Sequence, residues 1–149
     1  MRLAEHIREK RKLIINILFW IYVAVVFRIT VFRTGFTFSH FFENGRLNLT
    51  LFQGYLPMIK EGRWFMFIYL FAGNIIWFVP LGMYLEGQKK WKLVATVLCG
   101  FLFSLTIETL QYAFGTGFSE LDDLILNTFG VFLGALSVRG YRSVSAYKK

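Results

Sequence analysis

From Trp64 to Leu85 the chain runs for 22 residues without a charged side chain. About 20 apolar residues suffice to cross the hydrocarbon of a bilayer. Inside lipid such a run must be helical, because nothing around it can satisfy free backbone N–H and C=O groups. Three other stretches come close: Leu13–Phe32 with Arg28 near its far end, Leu93–Phe114 interrupted at Glu108 and Gln111, and the shorter Leu121–Val138, which opens on Asp122 and Asp123. All four are apolar on every side rather than along one stripe, so lipid or a helix bundle has to surround them. Charged residues make up 17% of the chain, against roughly 25% in an average soluble domain. That leaves too little polar surface for an ordinary soluble enzyme. The single Cys99 excludes an internal disulfide. The expected fold is an all-α membrane protein, one domain over residues 1–149, with four transmembrane helices in a small bundle.

The amino-terminal stretch has the basic start and apolar continuation of a signal peptide. Its apolar run is long, however, no small-residue cleavage site follows, and Arg28 and Arg33 come next. It reads as an uncleaved first helix. If both termini and the Glu86–Lys92 turn face the cytoplasm, that side holds 12 of the 17 basic residues. This excess is the positive-inside pattern for four spans. A basic rim facing anionic lipid accounts for the net charge of +8 without nucleic acid.

Residues 33–63 then lie outside. Phe36, Phe38, Phe41, Phe42, Phe52 and Tyr55 make this piece too aromatic for a free loop in water. An interfacial or re-entrant segment buries those rings while keeping Asn44, Arg46 and Asn48 near headgroups.

Ionisable groups inside spans are costly and mark functional sites by default. Glu108 lies about six residues, roughly 9 Å, below the outer end of the third helix. Ser104 and Gln111 share its face at i−4 and i+3. The fourth helix enters at Asp122 and Asp123, with Asn127 one turn below Asp123. Arg28 and Asn74 belong to the first and second helices. Topology alone therefore points to a polar pocket opening outward. Each member also has a plainer role. Arg28 can snorkel to headgroups, Asn74 can join helices, and Asp122 and Asp123 can sit solvated at a helix start. The i+4 partner Asn127 favours a site role for Asp123; Asp122 has no such partner. Gly130 and Gly134 form a small-residue pair suited to close helix packing.

Familiar chemistry is sparse. His6 and His40 fall on opposite sides, which leaves no zinc site, and no cofactor-binding motif, phosphate loop or nucleophile elbow is present. Glu108 and Asp123 are the one carboxylate pair with acid–base potential.

Three blocks resemble the VanZ-like family. Leu47-Asn48-Leu49-Thr50-Leu51-Phe52 is close to the family's Asn-Leu-x-Pro-Phe, with Leu51 at the usual proline and Arg46 one place from the family's arginine. Asn74 to Gly82 is similar to Asn-x-x-x-Phe-x-Pro-x-Gly. From Glu108 to Gly134 the chain reproduces Glu-x-x-Gln…Asp-x-x-x-Asn-x-x-Gly-x-x-x-Gly. The Gly115–Glu120 turn lacks a basic residue that many members carry. The resemblance implies a bacterial cell-membrane protein tied to low-level resistance to teicoplanin, with little effect on vancomycin. Because teicoplanin, unlike vancomycin, carries an acyl chain that partitions into the outer leaflet, the outward pocket is expected to take a lipid-anchored ligand, either the lipoglycopeptide antibiotic or a cell-wall lipid precursor. Arg28 or Arg46 would hold its headgroup, and Glu108, Gln111, Asp123 and Asn127 its polar body, with Asn74 and Asn48 beside them. A membrane enzyme acting on a lipid-linked substrate, and a structural partner subunit of the envelope machinery, remain open alternatives. The oligomeric state is undetermined.

Overall fold

The structure is a computed structural model that describes residues 2–32, 36, 41–42 and 45–147. Arg33, Phe38, His40, Asn44, Lys148 and Lys149 lie outside the described residues. Four long helices account for the apolar runs: α1 (Arg2–Thr30), α3 (Trp64–Gly87), α4 (Leu93–Phe114) and α5 (Leu121–Tyr147). All four are long and apolar enough to span a membrane. Two of them outrun the expected spans. Helix α1 begins at Arg2 rather than near Leu13, and α5 continues nine residues past Val138. In both cases the extension is charged and exposed, so it projects beyond the apolar layer.

Local chemistry sets the breaks between helices. Lys92 enters α4 in extended conformation, and Gly115 ends it at φ 61°. This left-handed position costs a glycine little and lets the Gly115 and Thr116 amides reach the carbonyls of Tyr112 and Gln111. Pro80 sits inside α3 and removes one backbone donor. The Tyr22 hydroxyl of α1 donates to the Trp77 carbonyl at 2.7 Å, beside the interrupted ladder.

Helices α3 and α5 share the largest interface. A Cβ on Gly130 would collide with the Ile75 carbonyl, one on Gly134 with the Val79 carbonyl, and one on Gly82 with the Val131 carbonyl. The near-constant offset between partners means that α3 and α5 run parallel, with α4 antiparallel to both. The Gly130/Gly134 pair is therefore a packing device, as its spacing suggests, and Gly82 supplies the reciprocal gap. Helix α1 packs more lightly; its Val26, with Val31 just past its end, joins a core with Phe78, Leu81, Leu85, Ile107 and Val131. At the far end, buried Glu86 of α3 holds two arginines of α5, Arg139 at 3.1 Å and Arg142 at 3.6 Å.

The piece between α1 and α3 folds over the opposite end of the bundle. Phe36 and Phe41 pack edge-on against Phe114 at the end of α4, and the Phe42 amide donates to the Ala113 carbonyl. Strand β1 (Arg46–Asn48) then pairs in parallel with β2 (Phe118–Glu120), in register Arg46↔Phe118, Leu47↔Ser119 and Asn48↔Glu120. The short helix α2 (Tyr55–Lys60) follows, its Tyr55 ring set edge-on against Phe67 and Phe71 of α3. This two-stranded ribbon is absent from the sequence expectation; three-residue strands leave too short an alternation to be read.

Candidate functional site

The ribbon lies directly over the polar residues of the spans. On α4, Ser104, Glu108 and Gln111 are all buried, as a shared inward face requires. They meet different partners. Ser104 accepts from the Asn127 amide of α5 at 2.9 Å. Glu108 accepts the backbone amide of Glu120 at 2.9 Å. Gln111 donates to the Thr30 carbonyl, the last of α1, at 3.3 Å. Asp123 accepts from the Asn74 amide of α3, which also reaches the Tyr55 hydroxyl at 3.4 Å. Burial pushes the Tyr55 phenol above its usual range, with the Asp123 charge adding to the effect, so it stays protonated at neutral pH. Two amide oxygens, Gln111 Oε1 and Asn127 Oδ1, are buried with no hydrogen-bond partner.

Seven of the eight expected site residues thus gather at the ribbon end of the bundle. Buried Glu108, Asn127 and Gln111 and half-buried Asp123 and Asn74 form a polar layer, and Asn48 joins it through Glu120, donating to that carboxylate at 3.0 Å. Arg46 lies exposed above, its guanidinium 5.1 Å from the centre of the Phe118 ring. Arg28 is not brought in. It is exposed and donates to the Phe32 carbonyl at 2.6 Å, closing the end of α1 as a cation suits a helix C-terminus.

Three residues outside the expected set are built into the same place. Glu120 carries a carboxylate facing Asn48 from the neighbouring strand. Tyr55 touches Asn74. Asp122, expected to be a solvated helix start, is only 3% exposed. Both its oxygens accept the Phe52 amide, at 3.0 and 2.8 Å. A signal for the acidic pair was available: of nine acidic residues, four fall between Glu108 and Asp123. Such density in an apolar stretch argues against incidental solvation.

Above the layer an open groove of about 690 Å³ is lined by Arg46, Leu47, Asn48, Gln53, Gly54, Met58, Phe118 and Glu120. It offers a guanidinium, two amides and a carboxylate over an apolar floor. No α4 or α5 side chain lines it; Glu108 of α4 holds the Glu120 backbone amide. No group of three or more His, Cys, Asp or Glu arranged to hold a metal occurs among the described residues.

A four-span helical membrane protein with a polar layer under an extramembrane ribbon is thereby defined. The chain belongs to the VanZ/LLP1 family, whose model matches residues 19–142. It is 36% identical over 62 residues to Protein VanZ of Enterococcus faecium, a stretch covering 41% of this chain and 38% of that protein. The matched part is therefore well under half of that relative. No solved structure matches the chain.

Proposed function

We propose that this protein lowers bacterial susceptibility to teicoplanin-type lipoglycopeptides by binding a lipid-anchored molecule, antibiotic or cell-wall lipid precursor, at its ribbon end. The reading places the protein in the bacterial cell membrane with both termini cytoplasmic and the ribbon outside, following the excess of basic residues near the termini and the α3–α4 turn. Teicoplanin-type antibiotics carry an acyl chain that partitions into the outer leaflet, so the polar body of such a molecule sits at the depth of the ribbon. The observation that carries the proposal is the groove over Arg46, Asn48 and Glu120, held from below by Glu108. Sequestration there keeps the antibiotic from its target.

The test is expression in a susceptible bacterium. The native chain raises the inhibitory concentration of teicoplanin and leaves that of vancomycin almost unchanged. Replacing Glu108 by Ala, or Asn48 by Ala, abolishes the effect at unchanged membrane level; retained resistance in both variants refutes the site. The convergence of Glu108, Glu120 and Asp123 favours a second reading, a membrane enzyme using two of these carboxylates as acid and base on a lipid-linked substrate. A new species in lipid extracts of expressing cells, lost in the same variants, supports that reading instead.

A further inference from the structure

At the opposite end of the bundle, a crevice of about 660 Å³ separates α1 from the α3–α5 pair. Its walls are apolar, chiefly Ile15, Leu18, Phe19, Pro80, Met83 and Val138, and Arg11 and Gln88 stand among its lining residues. Helix α1 bridges it at few points. Phe19 stacks on Tyr84 at 3.6 Å between ring centres, and the Tyr84 hydroxyl donates to Asn16 at 2.9 Å.

The charges around it are unevenly matched. Arg139 and Arg142 share buried Glu86, and Lys12 pairs with Glu9 at 2.8 Å. Arg11 has no ion pair among the described residues, and Lys89 has only the Tyr84 ring, its ammonium 5.6 Å from the ring centre. Uncompensated positive charge therefore stands beside a greasy slot: Arg11 is one of its lining residues, and Lys89 lies over Tyr84, which is another.

We propose that this crevice binds one anionic phospholipid, an acyl chain lying between Leu18, Pro80 and Met83 and the headgroup phosphate held by Arg11 and Lys89. A soluble anion fits less well, because it would leave the apolar walls facing water. A zwitterionic lipid would fill the slot without using the two cations. Basic pockets between spans are suited to acidic headgroups for this reason. The bound lipid completes the packing that α1 lacks along this face.

Native mass spectrometry of the full-length protein, released from mixed phosphatidylglycerol and phosphatidylcholine nanodiscs, tests the proposal. About tenfold preferential retention of phosphatidylglycerol is expected. The double variant Arg11→Gln/Lys89→Gln should reduce it to the phosphatidylcholine level, whereas Lys12→Gln leaves it unchanged. Gly87→Leu, which fills the slot, should lower retention of both lipids. Equal retention of the two lipids by the native protein overturns the proposal. So does unchanged retention in the double variant, or displacement of the lipid by soluble glycerol 3-phosphate. Arg11 and Lys89 are both exposed, so the double variant remains informative even if Gly87→Leu fails to fold.

Discussion

Asp122 of α5 grips Phe52 across seventy residues of sequence, both carboxylate oxygens accepting one backbone amide. Phe52 stands at φ 58°, a left-handed conformation that costs a bulky residue of order 1–3 kcal/mol. A charged acceptor is what offsets that cost. At this turn the extramembrane segment is tied to a span by the Asp122 side chain.

Asp122→Ala should release this tie. The expected cost is about 1–3 kcal/mol, concentrated at the ribbon end. Hydrogen exchange should accelerate at Phe52 and through β1 while α3 and α5 stay protected. Unchanged exchange at Phe52 would show that the turn holds without Asp122.

Gly134→Ala drives a methyl group into the Val79 carbonyl. Overpacking of this kind costs about 1–3 kcal/mol, read as a lower thermal midpoint in detergent. Gly140 has open space around its missing Cβ, so Gly140→Ala should hold or slightly raise the midpoint, since alanine is the better helix former. Equal effects from the two substitutions would remove the close α3–α5 approach from the account.

The Glu86 cluster should respond asymmetrically. Its carboxylate is buried while the two arginine side chains are each 42% exposed. Glu86→Gln leaves arginines that water can solvate, and should cost under about 1 kcal/mol. Removing both arginines strands a buried negative charge, and Arg139→Gln/Arg142→Gln should cost about 3 kcal/mol or more. Thermal unfolding of the three proteins decides; the reverse order would contradict the cluster as described.

Tyr22→Phe removes the hydroxyl that reaches the Trp77 carbonyl near Pro80. A loss of about 0.5–1.5 kcal/mol is expected. Pro80→Ala gives the Ile76 carbonyl back its helical donor, not the Trp77 carbonyl, so the Tyr22→Phe penalty should persist in that background. A double-mutant cycle reading strong coupling between the two positions would tie the hydroxyl to the proline instead.

Much of this architecture was legible in residue order. Charge-free runs of spanning length dictate helices because lipid offers the backbone no other partner. The Ser104–Glu108–Gln111 face followed from helical spacing alone, and the Gly130/Gly134 pair announced close packing. Arg28 shows the limit: its position at a helix end suits both a ligand contact and a cap, and the Phe32 carbonyl takes it as a cap.

The ribbon shows that limit more sharply. Asn48 and Glu120 are seventy-two positions apart, each on a strand of three residues, and periodicity carries no information over so short a length. Asp122 and Asp123 are adjacent and chemically identical, yet one turns to Phe52 and the other to Asn74. Consecutive residues on a helix point about 100° apart, so their roles depend on what each direction meets. Solvation preference acts residue by residue and can be read along a chain. Partnership between distant polar groups arises when separate spans and the ribbon come into register, and it exists only in three dimensions.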